Sequence, residues 1–205
     1  MYKFQQTTPN WLFHQANLNF PKLSDIQKEL LKLLVYTKNQ TLVPYTSTFV
    51  DVPAQTVLER CPLLLEQLKN LNLLDKFFTM GFISVDADHI FPPHIDGDVT
   101  DIALNIPLLG CEGTYTVWYD GKITDNELPS YAIGSEIVKI ARVCDPRSAV
   151  EIDRCDSSIP HWINVNVFHR PETHHNQFRV AASLRFIPDP INEHGELWPH
   201  LIRSS

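Results

Sequence analysis

Between Asp75 and Ile187 the chain breaks into short β-like runs separated by turn residues, and this rhythm restricts its fold more than any other feature. Runs near 77–86, 101–109, 114–120, 136–143, 148–155, 161–168 and 178–187 are rich in residues that suit strands. Pro92-Pro93, Gly110, Glu127-Leu128-Pro129 and Asp145-Pro146 punctuate them, and Asp120-Gly121 reads as a hairpin turn between two of them. Upstream, leucines at helical spacing predict an amphipathic helix over 25–38, capped by Ser24 or Asp25. A second helical region over 54–74 is interrupted near Pro62. Seven or eight short strands after these helices predict a mainly β fold. The expected form is a double-stranded β-helix of the jelly-roll or cupin-like kind, with two or three N-terminal helices packed on one sheet.

A chain of 205 residues fits a single domain. The expected division is an N-terminal support over 1–74, a β-helix core over 75–187 and a tail over 188–205. The aromatic segment 1–22 is expected to lie along the body as a strand or clasp. The tail is expected as a loop that folds back through Leu197, Trp198, Leu201 and Ile202.

A formal net charge of −7 argues against general binding to a phosphate backbone. The apolar runs are too short to span a bilayer, and the N-terminus lacks a signal-peptide apolar core. Cys61, Cys111, Cys144 and Cys155 show no CxxC spacing and are expected to be reduced thiols, which points to the cytoplasm. The expected partner is therefore a small-molecule or peptide substrate, with no nucleic acid and no membrane. The oligomeric state is left open.

The chemistry concentrates in Pro92-Pro93-His94-Ile95-Asp96-Gly97, read with Ile159-Pro160-His161 and Arg179. On an extended segment, residues 94 and 96 project the same way, so both can reach one ion. A second histidine from a distant strand completes a two-histidine, one-carboxylate set, which suits non-haem Fe(II) and O2. His161 is the expected third ligand. His14, His89, His169, His174, His175, His194 and His200 read as surface or satisfied core groups. Arg179 suits a carboxylate, since a guanidinium forks it and stays charged when desolvated.

Four stretches resemble the Fe(II)/2-oxoglutarate-dependent oxygenases, nearest the aspartyl/asparaginyl-hydroxylase-like and prolyl-hydroxylase-like branches. They are His94-Ile95-Asp96-Gly97, Ile102-Ala103-Leu104-Asn105-Ile106-Pro107-Leu108, Ser158-Ile159-Pro160-His161-Trp162-Ile163-Asn164 and Arg179-Val180-Ala181-Ala182-Ser183-Leu184-Arg185-Phe186. The resemblance covers about 75–187. It implies that His94, Asp96 and His161 bind Fe(II) and that Arg179 pairs with the distal carboxylate of 2-oxoglutarate. It also implies an Asn105 amide on the C1 carboxylate, with Arg185, on the same strand face as Arg179, as the fallback anion binder.

The implied reaction couples decarboxylation of 2-oxoglutarate to hydroxylation of an unactivated C–H bond with O2. The substrate would be an amino acid, a peptide side chain or a small metabolite. The carboxylate of Asp96 favours hydroxylation over halogenation. One spacing departs from the pattern: many relatives place the arginine about ten residues after the last histidine, and here the gap is eighteen (179 − 161 = 18). The polar segment 169–177 accounts for the excess as an extended hairpin tip. Two rival classes are a cupin-like metal enzyme that does not use 2-oxoglutarate and a non-catalytic jelly-roll binding protein. The first needs no dicarboxylate clamp of the kind Arg179 and Asn105 would form, and an intact triad argues against the second.

Overall fold

The computed structural model describes residues 9–17, 22–41, 49–85, 92–96, 100–124, 132–133, 136–137, 142–173 and 178–203. Among these, strand β1 spans Phe13–Gln15 and helix α1 Leu23–Thr41. Strand β2 (Phe49–Pro53) and helices α2 (Ala54–Arg60) and α3 (Pro62–Asn70) follow. Then come β3 (Phe77–Val85), β4 (His94–Ile95), β5 (Ile102–Leu109), β6 (Thr114–Asp120), β7 (Ala132–Ile133), β8 (Glu136–Ile137) and β9 (Arg142–Val143). The last four are β10 (Val150–Asp156), β11 (His161–Asn164), β12 (His169–Thr173) and β13 (Arg179–Phe186).

A six-stranded sheet has the order β1-β11-β5-β13-β3-β2, and a five-stranded sheet the order β10-β6-β12-β4-β9. The core strands alternate between them: β3, β5, β11 and β13 lie in the first, β4, β6, β10 and β12 in the second. Paired strands are antiparallel throughout. This winding of two facing sheets is the expected double-stranded β-helix. The N-terminal segment contributes strands as well as helices. β1 covers the outer edge of β11 and β2 that of β3.

The helices sit on the outer face of the six-stranded sheet. Ile26, Leu30, Leu33 and Leu34 of α1, Val57 of α2 and Leu64 and Leu68 of α3 pack there. They meet Met80, Phe82, Leu104, Ile106, Trp162, Val180, Ala182, Leu184 and Phe186 in one buried cluster. Pro62, which has no N–H to continue α2, opens α3 instead. The carboxylate of Glu29 on α1 accepts from the Leu63 and Leu64 N–H groups at 3.1 and 3.4 Å, satisfying donors at the α3 N-terminus.

Because side chains alternate along a strand, the residues between those core positions face the other sheet. Ala103 and Ile163 do so, packing against Trp118, Cys155 and Val165. Asn105, His161, Arg179, Ser183 and Arg185 share this inner face, as the strand register shows. Ser84, paired with Val180, lies on the helix side.

Two expectations about strands are corrected. Asp120-Gly121 does not close a hairpin between neighbouring strands: β6 pairs with β10, with Val150 opposite Asp120, and Ile123 bridges Cys144. The glycine serves a close approach, since a Cβ at Gly121 would meet the Cys144 Sγ at 2.3 Å. The expected strand 161–168 ends at Asn164, whose Oδ1 accepts from the Asn166 N–H at 2.9 Å and turns the chain toward the opposite sheet. The expected hairpin tip begins as strand β12, with 174–177 outside the described residues.

The four cysteines are free and buried. No described helix is long and apolar enough to cross a membrane.

Candidate metal centre

β4 is only two residues long, yet it fixes the first ligand. His94 pairs with His169 of β12, and His169 pairs on its other side with Trp118 of β6. Paired residues of antiparallel strands point to the same face, and Trp118 points between the sheets, so both imidazoles do too. Asp96 follows, its N–H bound to the Val165 carbonyl at 3.1 Å. One ligand atom from each of His94, Asp96 and His169 lies within 4.8 Å of the others, a group able to hold a metal ion.

Each member is oriented by a second contact. The Nδ1 of His94 faces the Pro92 carbonyl at 3.0 Å and that of His169 the Val167 carbonyl at 2.9 Å. A carbonyl can only accept, so each Nδ1 carries the proton, and in the neutral form of the ring each Nε2 offers a lone pair. These Nε2 atoms lie 3.4 and 4.0 Å from Oδ1 of Asp96. The other oxygen, Oδ2, accepts from Nη2 of Arg185, which leaves Oδ1 turned toward the imidazoles. Burial opposes charge on Asp96, but the Arg185 guanidinium and the two histidines hold its carboxyl well below the usual range. Burial pushes His169 down to about 4. For His94 burial also acts downward, and the hydrogen bond and charge of Asp96 outweigh it, giving a net rise.

The structure groups His169, and not the expected His161, with His94 and Asp96. His161 stands on β11 in the other sheet, paired with Asn105, and is not a member of the group. The turn at 165–168 separates the two histidines into opposite sheets. A spacing signal favoured His169 all along: Arg179 follows it by ten residues (179 − 169 = 10), so the apparent departure from the pattern disappears.

The remaining expected residues line the facing sheet. Along β13, Arg185 stands at the metal end, Ser183 one inward-facing position further in, and Arg179 at the far end. Arg179 is 3% exposed, its Nη1 has no hydrogen-bond partner, and it forms no ion pair with a described carboxylate. Burial pushes it down from the ordinary arginine range, and the polar groups that oppose this are the buried thiols of Cys111, a side-chain hydrogen-bond partner, and Cys155. Asn105 Oδ1, His161 Nε2 and Ser183 Oγ are likewise buried without partners. Arg185, the fallback anion binder, instead holds Asp96, with Nη1 left unpartnered.

No family model and no curated protein matches the chain. Solved structures to which the chain is similar include SnoK, a non-heme alpha ketoglutarate dependent carbocyclase from nogalamycin biosynthesis. It has 11% identity over 85% of this chain and 79% of that one, with a TM-score of 0.47. The epimerase SnoN, solved with Fe3+, alpha ketoglutarate and nogalamycin RO, has 12% identity over 85% of this chain and 77% of that one, with a TM-score of 0.41.

Fold and site define a double-stranded β-helix able to hold one metal ion between its sheets by two histidines and an aspartate. The chain's own residues carry the functional reading beyond that.

Proposed function

We propose that this chain, as one oxygenase domain, is an Fe(II)- and 2-oxoglutarate-dependent oxygenase that hydroxylates an unactivated C–H bond. The overall conversion is R–H + O2 + 2-oxoglutarate to R–OH + succinate + CO2. The substrate class is an amino acid, a peptide side chain or a small metabolite. The carrying observation is Arg179, a guanidinium buried between the same sheets as the triad, with no described carboxylate to balance it. A buried charge without a counter-charge is costly, so the fold keeps it for an anionic ligand.

The donor set suits the group it would hold. Two neutral imidazole nitrogens and one carboxylate oxygen fit Fe(II) and leave other positions of the ion open. Iron held there supplies dioxygen activation. Arg185 keeps Asp96 turned so that one oxygen faces the ion. Arg179 clamps the distal carboxylate of the cosubstrate through bidentate hydrogen bonds. Asn105, between the metal end and Arg179, donates its amide to the C1 carboxylate. The two sheets exclude water, which strengthens each of these contacts.

The test is succinate release by purified protein with Fe(II), ascorbate and 2-oxoglutarate, together with thermal stability in Mn(II) and N-oxalylglycine. Binding of that unreactive cosubstrate analogue adds about 2.7 kcal/mol at a hundredfold excess over Kd. Stabilisation that requires Mn(II) and disappears in Arg179→Met supports the assignment. Stabilisation by Mn(II) with no further effect of N-oxalylglycine would overturn the cosubstrate half of it.

A further inference from the structure

The connection between β5 and β6 carries a buried thiol to the side of Arg179. Gly110, at φ 59°, turns the chain where a side chain has no room: a Cβ there would meet the Phe178 carbonyl oxygen at 2.1 Å. Cys111 follows and is 5% exposed. Its own carbonyl accepts from Thr114 Oγ1 at 2.8 Å and from the Thr114 N–H at 3.2 Å, which closes the turn into β6 and fixes the thiol's mount.

Cys111 Sγ lies 3.2 Å from the Val180 carbonyl oxygen and 3.4 Å from that of Leu109. Carbonyls only accept, so the S–H points at them and the sulfur lone pairs are left for a donor. Arg179, the residue before Val180, supplies that donor: its guanidinium is the side-chain hydrogen-bond partner of Cys111. Nη1 of Arg179 has no partner, so the thiol takes another N–H of the fork and leaves Nη1 open.

The chemistry of this partner matters. A carboxylate in its place would cancel the buried charge and compete with an anionic ligand. A neutral thiol ties the fork to the main chain of β13 and leaves the positive charge uncancelled. Cys155, the second thiol beside Arg179, is hydrogen-bonded to the Thr116 backbone instead.

We infer that Cys111 is a positioning residue for the distal carboxylate of the cosubstrate: its thiol ties the Arg179 guanidinium to the Val180 carbonyl and so sets the direction in which Nη1 is offered to the ligand. This rests on the 2-oxoglutarate reading.

The test is calorimetry on Mn(II)-loaded protein with two ligands: N-oxalylglycine, which carries a distal carboxylate, and oxalate, which chelates the ion but carries none. Cys111→Ala is expected to weaken N-oxalylglycine binding about tenfold and to leave the oxalate and Mn(II) affinities within about twofold. Cys111→Ser, whose hydroxyl can both accept and donate, should recover N-oxalylglycine affinity to within about threefold of the parent. In an Arg179→Met background Cys111→Ala should cause no further loss, because the thiol acts only through the guanidinium. Equal weakening of both ligands, a further loss in the Arg179→Met background, or the same loss in Cys155→Ala would overturn the inference. A second measurement needs no ligand. The infrared S–H band that disappears in Cys111→Ala should shift in Arg179→Met, and an unmoved band would show that the two side chains do not touch. A parent protein that binds Mn(II) and oxalate but not N-oxalylglycine would remove the cosubstrate reading, and this role with it, while a shifting band would leave the contact standing.

Discussion

The two walls of the β-helix treat polar groups in opposite ways. On the five-stranded side, each imidazole of the triad has its Nδ1 committed to a carbonyl, and Asp96 is held by Arg185 from across the barrel. On the six-stranded side, Arg179, His161, Asn105 and Ser183 all hold buried atoms without partners. The first wall is organised before anything binds, as a metal site needs. The second holds buried polar groups that nothing described pairs, and such groups lower stability while they stay unpaired.

The contrast is sharpest in a pair of histidines. His161 and His169 are both buried, and both place Nδ1 on the carbonyl two residues earlier. They differ in which sheet carries them. Removing His169 should therefore abolish metal binding, a loss of about a thousandfold or more in Mn(II) affinity. His161→Ala should leave that affinity within about threefold. Equal losses in the two variants would erase the distinction between the walls.

Arg179→Met comes next in size. The account predicts about a hundredfold loss in affinity for N-oxalylglycine, with Mn(II) binding retained. The same change should raise the stability of the ligand-free protein by about 1–3 kcal/mol, because it removes a buried charge that no described carboxylate balances. Denaturant melts of parent and variant check this, and a destabilised variant would mean that the guanidinium already has an anionic partner.

Arg185→Met should cost about ten- to a hundredfold in metal affinity, since Asp96 loses the contact that orients it. A calorimetric Mn(II) titration measures it, and a loss confined to the cosubstrate would reassign Arg185 to the second wall.

The remaining effect is on pH. His161 takes up a proton near 6.5 when unfolded but near 4 when folded, so its stabilising share is complete above 6.5. That share falls as pH drops through the window between the two values, by up to about 1.4 kcal/mol per pH unit. In metal-free protein the stability of His161→Gln should therefore depend less steeply on pH between 6.5 and 4 than that of the parent. Parallel curves would show that His161 is not held neutral by burial.

The sequence shows much of this architecture and hides one decisive part. Leu30, Leu33 and Leu34, and the apolar runs of β3, β5 and β13, carry periodicities that survive without tertiary information. The His94-x-Asp96 spacing is legible because it is local. β12 is not, because His169-Arg170-Pro171-Glu172-Thr173 is polar throughout. Its outward residues Arg170 and Glu172 pair with each other at 2.6 Å on the far face, while His169 turns inward. Whether a histidine belongs to one wall or the other depends on where the chain crosses between sheets. That crossing rests on the Asn164–Asn166 turn, which no hydrophobic pattern marks. The role of Arg185 was hidden for the same reason, since its partner lies 89 residues away in the opposite sheet.

The most direct measurement is anomalous diffraction from crystals soaked with Mn(II). The account predicts one peak shared by Nε2 of His94, Nε2 of His169 and Oδ1 of Asp96, with His161 outside the coordination shell. A peak bound to His161, or none near Asp96, would contradict it.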